Sequence, residues 1–214
     1  MRFIFLGPPA AGKGTQARRL AEERGLAHIS TGDILRAAAR AGTPLGQEAK
    51  RYMERGALVP DEVMIGIIRE RLQQEDCRRG FILDGFPRTI PQAEVLSELL
   101  DSLGKPVEHV VNLDVPMEEV LLRVRGRLTC QNCGAMFNLM LDPPQVEGRC
   151  NRCGDPLVHR NDDGEELIRE RLAIYHESTE PLAEYYRARG LLRTVDGTGT
   201  IDDIAKRIAD VVDE

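Results

Sequence analysis

The stretch that most constrains the fold lies near the N-terminus, where a short apolar run leads into a glycine-rich loop. Residues 3–6 (F-I-F-L) are followed by G-P-P-A-A-G-K-G-T at 7–15 and then by a helical pattern. In such a loop the backbone N–H groups converge on an anion, and the following helix adds the positive end of its dipole. The order strand, loop, helix therefore predicts a phosphate-binding loop in which Lys13 reaches the β- and γ-phosphates of a nucleotide.

This loop differs in one respect from the pattern G-x-x-x-x-G-K-[ST]. Gly14 occupies the position of the hydroxyl residue, and Thr15 follows one place later. If Thr15 supplies the hydroxyl, we expect its contact with magnesium to run through water. A chance match is the alternative, but strand, loop and helix occur in the order that phosphate binding requires.

Length, charge and hydropathy favour a globular protein without a membrane segment. The 214 residues can bury one sizeable core and leave room for an inserted module. No apolar run approaches the roughly 20 residues that span a bilayer, and the run at 3–6 is too short for a signal peptide. We therefore expect a cytoplasmic protein that does not bind membranes. The net charge of -6 argues against general nucleic-acid binding.

Apolar runs and helical periodicities alternate along most of the chain. Strands are predicted at Arg2 to Leu6, Ala27 to Ile29, Phe81 to Asp84, Val107 to Leu113 and Leu191 to Val195. Helices are predicted at Lys13 to Arg24, Thr31 to Ala41, Thr43 to Arg55, Asp61 to Glu75, Ile90 to Leu103, Met117 to Arg125, Glu165 to Ala188 and Ile201 to Val212, with Thr31, Asp61 and Asp163 as N-caps. The alternation predicts an α/β fold, with a mostly parallel sheet covered by helices on both faces.

The segment from Leu128 to His159 breaks this alternation and contains two C-x-x-C motifs. They are formed by Cys130 and Cys133 and by Cys150 and Cys153, and each is followed by a glycine that eases a tight turn. Four thiolates at this spacing can surround one zinc ion and leave no open coordination position, so we expect a structural zinc. Two disulfides are the alternative, which a reducing compartment disfavours.

A third cluster is D-G-F-P-R at 84–88, directly after an apolar strand. A carboxylate at the end of a buried strand beside a phosphate loop can hold magnesium through water, and Arg88 follows within reach of the same crevice. Taken alone, this sequence is equally compatible with an ordinary strand-to-helix turn that exposes an arginine.

Arginines frame the cysteine segment on both sides, at Arg123, Arg125 and Arg127 before it and at Arg160, Arg169 and Arg171 after it. Because Arg123 and Arg127 are four residues apart, we expect them to share a helix face that Arg125 does not. A solvated basic face is one explanation. The other is a module that closes over transferring phosphates.

Together these motifs resemble those of the adenylate kinases in their long bacterial form with a zinc-bearing lid. They are G-P-P-A-A-G-K-G-T at 7–15, S-T-G-D-I-L-R at 30–36, D-G-F-P-R-T-I-P-Q at 84–92, both cysteine motifs and R-N-D-D at 160–163. The resemblance implies a P-loop nucleoside monophosphate kinase fold, with a core at 1–29, 60–126 and 161–214, an AMP-binding domain at 30–59 and a lid at 127–160. It also implies a monomer that converts MgATP and AMP reversibly into two ADP, with Mg²⁺ on the ATP and one structural Zn²⁺.

The resemblance also assigns residues to roles. The ATP-binding residues are Ala10, Ala11, Gly12, Lys13, Gly14, Thr15, Arg127, Met136, Phe137 and Gly199. The AMP-binding residues are Thr31, Arg36, Ala57, Leu58, Val59, Gly85, Phe86, Pro87, Arg88, Gln92, Arg160 and Arg171, with Gln92 reading the adenine edge. The catalytic cations are Lys13, Arg88, Arg123, Arg160 and Arg171. Asp33 and Asp84 orient magnesium-bound water, and Cys130, Cys133, Cys150 and Cys153 bind the lid metal.

The chain departs from the family pattern at three places. Ala10 replaces the middle glycine of the loop, so either its φ is negative or the loop is strained. Met136 and Phe137 stand where a polar residue and a tyrosine are expected, which keeps apolar contact with adenine but removes a hydroxyl. Gly199 offers only its backbone to the base.

Three alternative functions are compatible with parts of the sequence. A kinase acting on UMP, CMP or GMP shares the fold, although Thr31 and Gln92 favour AMP. A P-loop switch GTPase would need an N-K-x-D motif, which the sequence lacks. A nucleic-acid-binding zinc ribbon could use Arg149 and Arg152, but Phe137 is the only aromatic residue of the segment available for base stacking.

Overall fold

The computed structural model describes residues 1–160 and 162–213, so Asn161 of the R-N-D-D motif and Glu214 lie outside the described residues. The strands are β1 (Arg2–Leu6), β2 (Ala27–Ser30), β3 (Phe81–Asp84), β4 (His109–Asp114), β5 (Arg127–Cys130), β6 (Met136–Asn138), β7 (Leu157–Val158) and β8 (Leu192–Asp196). The α-helices are α1 (Lys13–Arg24), α2 (Thr31–Arg40), α3 (Pro44–Met53), α4 (Asp61–Leu72), α5 (Ile90–Ser102), α6 (Met117–Gly126), α7 (Glu165–Ile174), α8 (Pro181–Arg187) and α9 (Ile201–Val212).

The main sheet is parallel throughout and has the strand order β2-β3-β1-β4-β8. Side chains of the central strand β1 alternate between its two faces. Phe3 and Phe5 pack in one buried cluster with residues of α1, α6 and α9. Ile4 and Leu6 pack in the other cluster with residues of α4, α5 and α8. Helices thus cover both faces, which confirms the predicted α/β fold.

The ends of three neighbouring strands lie side by side at one edge of this sheet. Phe5 of β1 pairs with Asp84 of β3, and Asp84 pairs with Ser30 of β2. Because the strands are parallel, the loops that leave their carboxyl ends meet at the same edge. The glycine-rich loop, the D-G-F-P-R segment and the start of α2 are therefore brought together.

The helices α2, α4 and α7 begin where they were predicted to, but their N-cap residues differ from the predicted ones by one position. The N-caps are Ser30, Pro60 and Gly164, whereas Thr31, Asp61 and Asp163 were predicted. Ser30 accepts a hydrogen bond from the N–H of Asp33 at 3.3 Å, as a cap should. The side chains of Thr31, Asp61 and Asp163 bind other partners, which are described below.

The long helix predicted from Glu165 to Ala188 is interrupted. A π-helical turn at Tyr175–Thr179 separates α7 from α8, and the N–H of Glu180 donates to the carbonyl of Tyr175 at 2.8 Å. Pro181 begins α8, and a proline cannot donate the backbone hydrogen bond of a regular helix interior. The single-helix prediction was wrong at this point.

Residues 127–158 form a separate three-stranded antiparallel sheet in the order β6-β5-β7. Its small buried cluster contains Leu128, Cys130, Ala135, Phe137 and Cys150. Because α6 ends at Gly126, Arg127 begins β5 and does not share a helix face with Arg123, contrary to expectation. Within residues 1–160 and 162–213, we find no helix with the length and apolar character that crossing a membrane requires.

Candidate active site

The glycine-rich loop between β1 and α1 is shaped by positions that favour glycine. A Cβ atom on Gly7 would lie 2.6 Å from the carbonyl oxygen of Leu113, so a larger residue does not fit there. Gly12 is the N-cap of α1 with φ 95°, and because it has no capping side chain, the first N–H groups of the helix remain available to an anion. Ala10 has φ 59°, so of the two alternatives for this position the structure shows the strained one.

Lys13 folds back over this loop. Its Nζ donates to the carbonyl oxygens of Gly7 and Pro8, each at 2.7 Å. Burial lowers the pKa of Lys13 to about 7, an effect that Asp84 opposes and Arg88 reinforces. The ammonium is therefore held at the loop by carbonyl contacts that phosphate oxygens can replace.

Six arginines line the same cleft as Lys13, among them Arg88, Arg160 and Arg171. Burial lowers the pKa of Arg88 and of Arg160 to about 10, and it also lowers the pKa of Arg171. Neighbouring guanidiniums add to the effect, since Arg171 lies near Arg88 and Arg127 lies near Arg160. Buried like charges are costly without an anion between them. The cleft is therefore built to hold a polyanion.

Two acids that follow the lid in sequence, Asp162 and Asp163, pair with arginines that line the same cleft. Arg171 donates to Asp162 Oδ2 at 3.0 Å, and Arg36 approaches the same oxygen at 3.9 Å. Arg127 donates through Nε to Asp163 Oδ2 at 2.7 Å and through Nη2 to the other carboxylate oxygen. Burial raises the pKa of Asp162, but the surrounding arginines, with Arg171 and Arg36 contributing most, together hold that pKa below its ordinary value.

The role of these two acids as partners of the arginines was not predicted from the sequence. The available signal was the R-N-D-D motif, in which two acids follow directly on an arginine of the lid.

Arg123 is buried, with 6% of its surface exposed. It donates to the carbonyl oxygens of Ala11 at 3.0 Å and Gly197 at 2.8 Å, and its Nε bonds Glu119 at 3.1 Å. Its guanidinium therefore braces the phosphate loop from α6. Arg125 points elsewhere, as expected, and is 66% exposed.

A second pocket adjoins the first between α2, the segment at 56–59 and α5. Most of the residues predicted to bind AMP line it: Thr31, Arg36, Ala57, Leu58, Val59, Gly85, Phe86, Arg88, Gln92 and Arg171. Pro87 lines an adjoining hollow that also contains Lys13 and Arg88. Arg160 lines the first pocket.

Thr31 and Gln92 are both buried in the wall of this second pocket. The hydroxyl of Thr31 donates to the carbonyl oxygen of Gly85 at 3.0 Å, which explains why it does not cap α2. The amide nitrogen of Gln92 donates to Asp61 Oδ1 at 2.6 Å, and its oxygen accepts from the N–H of Arg88 at 2.7 Å. From the sequence, Asp61 was predicted only as a helix cap.

Both acids predicted to orient magnesium-bound water line the first cleft. Asp84 ends β3 and is 12% exposed. A Cβ atom on Gly14 would lie 3.2 Å from its Oδ2, so this carboxylate faces the start of α1. Asp33 is more open and accepts from Arg36 at 2.7 Å. Carboxylate oxygens in such a position suit Mg²⁺, which usually keeps several waters.

The lid side of the first cleft is lined by Met136, Phe137 and Gly199. The sulfur of Met136 accepts from Arg160 Nη2 at 3.0 Å, and its methyl carbon lies 3.1 Å from where a Cβ atom of Gly14 would be, so the lid touches the phosphate loop. Phe137 also belongs to the buried cluster of the lid.

Asn138, which sequence analysis did not assign to the site, connects the lid to α6. Its amide nitrogen donates to the carbonyl oxygen of Arg123 at 2.9 Å, and its oxygen accepts from the N–H of Met140 at 3.0 Å. Nothing in the local sequence pattern marks this contact.

The four cysteines of the lid converge. Their Sγ atoms all lie within 4.8 Å of one another, with Cys130 to Cys153 at 3.4 Å and Cys133 to Cys150 at 3.5 Å. Four sulfurs at about 2.3 Å from one zinc would be about 3.8 Å apart in a tetrahedron. The thiols are unbonded to one another, because a disulfide requires about 2.05 Å. The donor set and its spacing therefore fit a closed, four-coordinate metal site.

Comparison with known proteins agrees with this geometry. A model of the adenylate kinase family matches residues 5–191. The chain is 53% identical to an adenylate kinase of Thermodesulfovibrio yellowstonii over 214 residues, which is all of both chains. It is 54% identical to an adenylate kinase of Archaeoglobus fulgidus, covering 100% of this chain and 99% of the relative. An adenylate kinase of Geobacter sp. strain M21 is 55% identical over 95% of each chain. With this family match, the phosphate loop and the two adjoining pockets in one structure, the chain belongs to the adenylate kinase family.

Proposed function

We infer that this enzyme transfers the terminal phosphoryl group of MgATP to AMP, reversibly, giving two ADP. One observation carries this conclusion beyond the family relationship. The phosphate-loop cleft and the second pocket share a wall that contains Arg36, Arg88 and Arg171. A cationic wall between two nucleotide-sized hollows suits a reaction in which phosphates meet end to end.

The reaction needs positioning and positive charge more than covalent chemistry. In phosphoryl transfer, charge spreads over the oxygens of the moving group, and cations held in a water-poor site stabilise it. Lys13, Arg88, Arg123, Arg160 and Arg171 all line the cleft where this group would lie. Their existing partners are carbonyl, carboxylate, hydroxyl and thioether groups, so they are oriented before a nucleotide binds.

We assign the ATP site to the first cleft. The loop residues Ala10 to Thr15 would hold the phosphates, Arg127 would bind on the ATP side, and Met136, Phe137 and Gly199 would contact the base. Asp84 and Asp33 would hold water molecules bound to the Mg²⁺ that accompanies ATP. This ion would neutralise part of the phosphate charge. The position of Asp84 beside Gly14 supports this assignment.

We assign AMP to the second pocket. Arg36, Arg88 and Arg171 would bind its phosphate, with Arg160 approaching from the lid. Thr31, Gln92 and the backbone of residues 57–59 would contact its adenosine. The support is that the second pocket is lined by Thr31, Gln92 and residues 57–59 together with three of these arginines.

We also propose that the chain divides into a core (1–29, 60–126 and 161–214), an AMP-binding domain (30–59) and a lid (127–160). The separate antiparallel sheet of residues 127–158 and its own buried cluster support the last boundary. Closure of the lid would exclude water, so that transfer to AMP prevails over hydrolysis.

The four lid thiols support a structural zinc bound by Cys130, Cys133, Cys150 and Cys153. Unbonded thiols are also what a reducing compartment favours, so we place the enzyme in the cytoplasm. We propose a monomer, since a single chain supplies both pockets. The net charge of -6 supports the absence of a nucleic-acid partner.

A coupled assay tests the central proposal by comparing ATP with AMP, UMP, CMP or GMP as acceptor. We expect kcat/KM for AMP to exceed that for each other monophosphate by at least about a hundredfold, the scale that polar readout of a substrate provides. Faster use of another monophosphate would overturn the assignment of the acceptor.

A further inference from the structure

The side chain of Gln92 is fixed in one orientation by two groups on opposite sides of its amide. Asp61 Oδ1 accepts from Nε2 at 2.6 Å, and the N–H of Arg88 donates to Oε1 at 2.7 Å. Turning the amide over would place its NH₂ against the N–H of Arg88 and its oxygen against a carboxylate. A carboxylate is an acceptor only and a peptide N–H is a donor only, so both contacts would become repulsive.

Asp61 is itself held in place. It is the first residue of α4, and its Oδ2 lies 3.5 Å from the hydroxyl of Thr89, which donates to it. Thr89 in turn caps α5 by accepting from the N–H of Gln92 at 3.2 Å. Asp61 thus accepts hydrogen bonds from the amide of Gln92 and from Thr89, the N-cap residue of the helix that carries Gln92. Gln92 lines the second pocket, and Asp61 stands behind it.

This arrangement determines what Gln92 can offer a base. One N–H of Nε2 and one lone pair of Oε1 are already used, so one donor and one acceptor remain. Adenine presents an acceptor at N1 and a donor at its 6-amino group, which match them. Hypoxanthine presents the reverse pattern, a 6-oxo acceptor beside an N1–H donor, and would require the amide to turn over.

We propose that Asp61 is a positioning residue that sets the base specificity of the acceptor site by fixing the amide orientation of Gln92. This rests on the proposed binding of AMP in the second pocket. Asp61 does not touch the base and acts only through Gln92.

The test is steady-state kinetics with AMP and IMP as competing acceptors. Asp61→Leu replaces the carboxylate by an apolar group of similar size. We expect it to lower the ratio of kcat/KM for AMP to kcat/KM for IMP about tenfold, mainly through a higher KM for AMP, with KM for ATP unchanged. Asp61→Asn, whose oxygen can still accept from Nε2, should show a smaller decrease.

The matched control is Glu62→Leu, which removes an exposed acid from the same first turn of α4. It should leave the AMP to IMP ratio unchanged. In a Gln92→Leu background, Asp61→Leu should alter the ratio by less than about twofold, because the residue through which it acts is gone. If thermal melting shows that Asp61→Leu is not folded, the same kinetics are measured on Asp61→Ala.

Two results would overturn the proposal. One is a folded Asp61→Leu or Asp61→Ala enzyme with the wild-type AMP to IMP ratio. The other is an equal change of the ratio with and without Gln92, which would mean that Asp61 only supports the helices. A wild-type enzyme that does not phosphorylate AMP would instead refute the proposed function, so the two failures are distinguishable.

Discussion

The Nζ of Lys13 lies 2.7 Å from the carbonyl oxygen of Pro8, so the side chain folds back onto the loop that precedes it. Both residues belong to the glycine-rich segment at 7–15. Because Nζ is already at the loop, a nucleotide bound there would replace carbonyl contacts with phosphate contacts and would not have to recruit a distant side chain.

The first prediction follows from this position. Lys13→Met keeps most of the stem and removes the charge, so transfer loses a cation that stabilises the moving phosphoryl group in a water-poor site. We expect kcat to fall by at least about a hundredfold, measured in the coupled assay. Lys50→Met, at a site 60% exposed on α3, is the control and should stay near the wild-type rate. A Lys13→Met enzyme with a tenth of wild-type activity would contradict the role.

The second prediction concerns protons. Burial lowers the pKa of Lys13 to about 7 in the nucleotide-free enzyme, so at pH 8 most molecules carry the neutral amine. Anionic phosphates stabilise the ammonium and raise that pKa. Binding of ATP at pH 8 should therefore take up protons, whereas at pH 6 the lysine is already charged and contributes no uptake.

Isothermal titration calorimetry in buffers of different ionisation enthalpy measures this uptake. The wild-type enzyme should take up more protons at pH 8 than Lys13→Met does, and the two should agree at pH 6. Equal proton uptake by both proteins at pH 8 would show that Lys13 stays charged without nucleotide.

The third prediction compares two neighbouring alanines of the loop. Ala10 has φ 59°, a conformation that costs a non-glycine residue roughly 1–2 kcal/mol. Glycine removes this strain but loses about 0.5–1 kcal/mol to the entropy of the unfolded chain. Ala10→Gly should therefore raise the free energy of unfolding by about 0.5 kcal/mol.

Ala11→Gly is the matched control. Ala11 is fully buried, so the same change removes a packed methyl group and should lower the free energy of unfolding by about 1–2 kcal/mol. Urea denaturation measures both. Destabilisation of similar size in the two variants would show that the backbone at Ala10 is not strained.

Local signals were sufficient to predict much of the fold. The glycine-rich loop, α1 and the apolar runs of the sheet each depend on residues that are close in sequence, and β1, β3, α1 and α9 have the predicted bounds. The cysteine spacing likewise predicted a four-sulfur cluster, because the two motifs need only one turn each to aim their thiols at a common point.

Predictions failed where a side chain has a distant partner. Thr31 and Ser30 are both able to cap α2, and the choice is made by the carbonyl of Gly85, to which the hydroxyl of Thr31 donates. Asp61 and Asp163 have good cap residue types, but their carboxylates bind Gln92 and Arg127. No local pattern encodes these pairings, so the orienting acids of the site were not recognised from sequence.

Apart from the metal proposed for its four thiols, the lid has little to hold it together. Among the described residues, its buried cluster comprises Leu128, Ala135 and Phe137 with the sulfur-bearing Cys130 and Cys150. Such a small apolar cluster offsets little of the entropy of ordering about thirty residues, and bound zinc supplies folding free energy directly. An ion bound by four thiolate ligands would have no free coordination position for a substrate.

The fourth prediction separates stability from catalysis on this basis. Removing the metal with the double change Cys130→Ser and Cys153→Ser should clearly lower the unfolding temperature of the lid, yet leave measurable transfer from ATP to AMP at low temperature. Elemental analysis should find one metal per chain in the wild-type enzyme and in Cys77→Ala, which removes the cysteine outside the cluster, and none in the double variant. Loss of all activity in a double variant whose lid stays folded would show that the metal is catalytic. A wild-type enzyme that contains no metal and has paired thiols would show that the lid is held by disulfides and not by zinc.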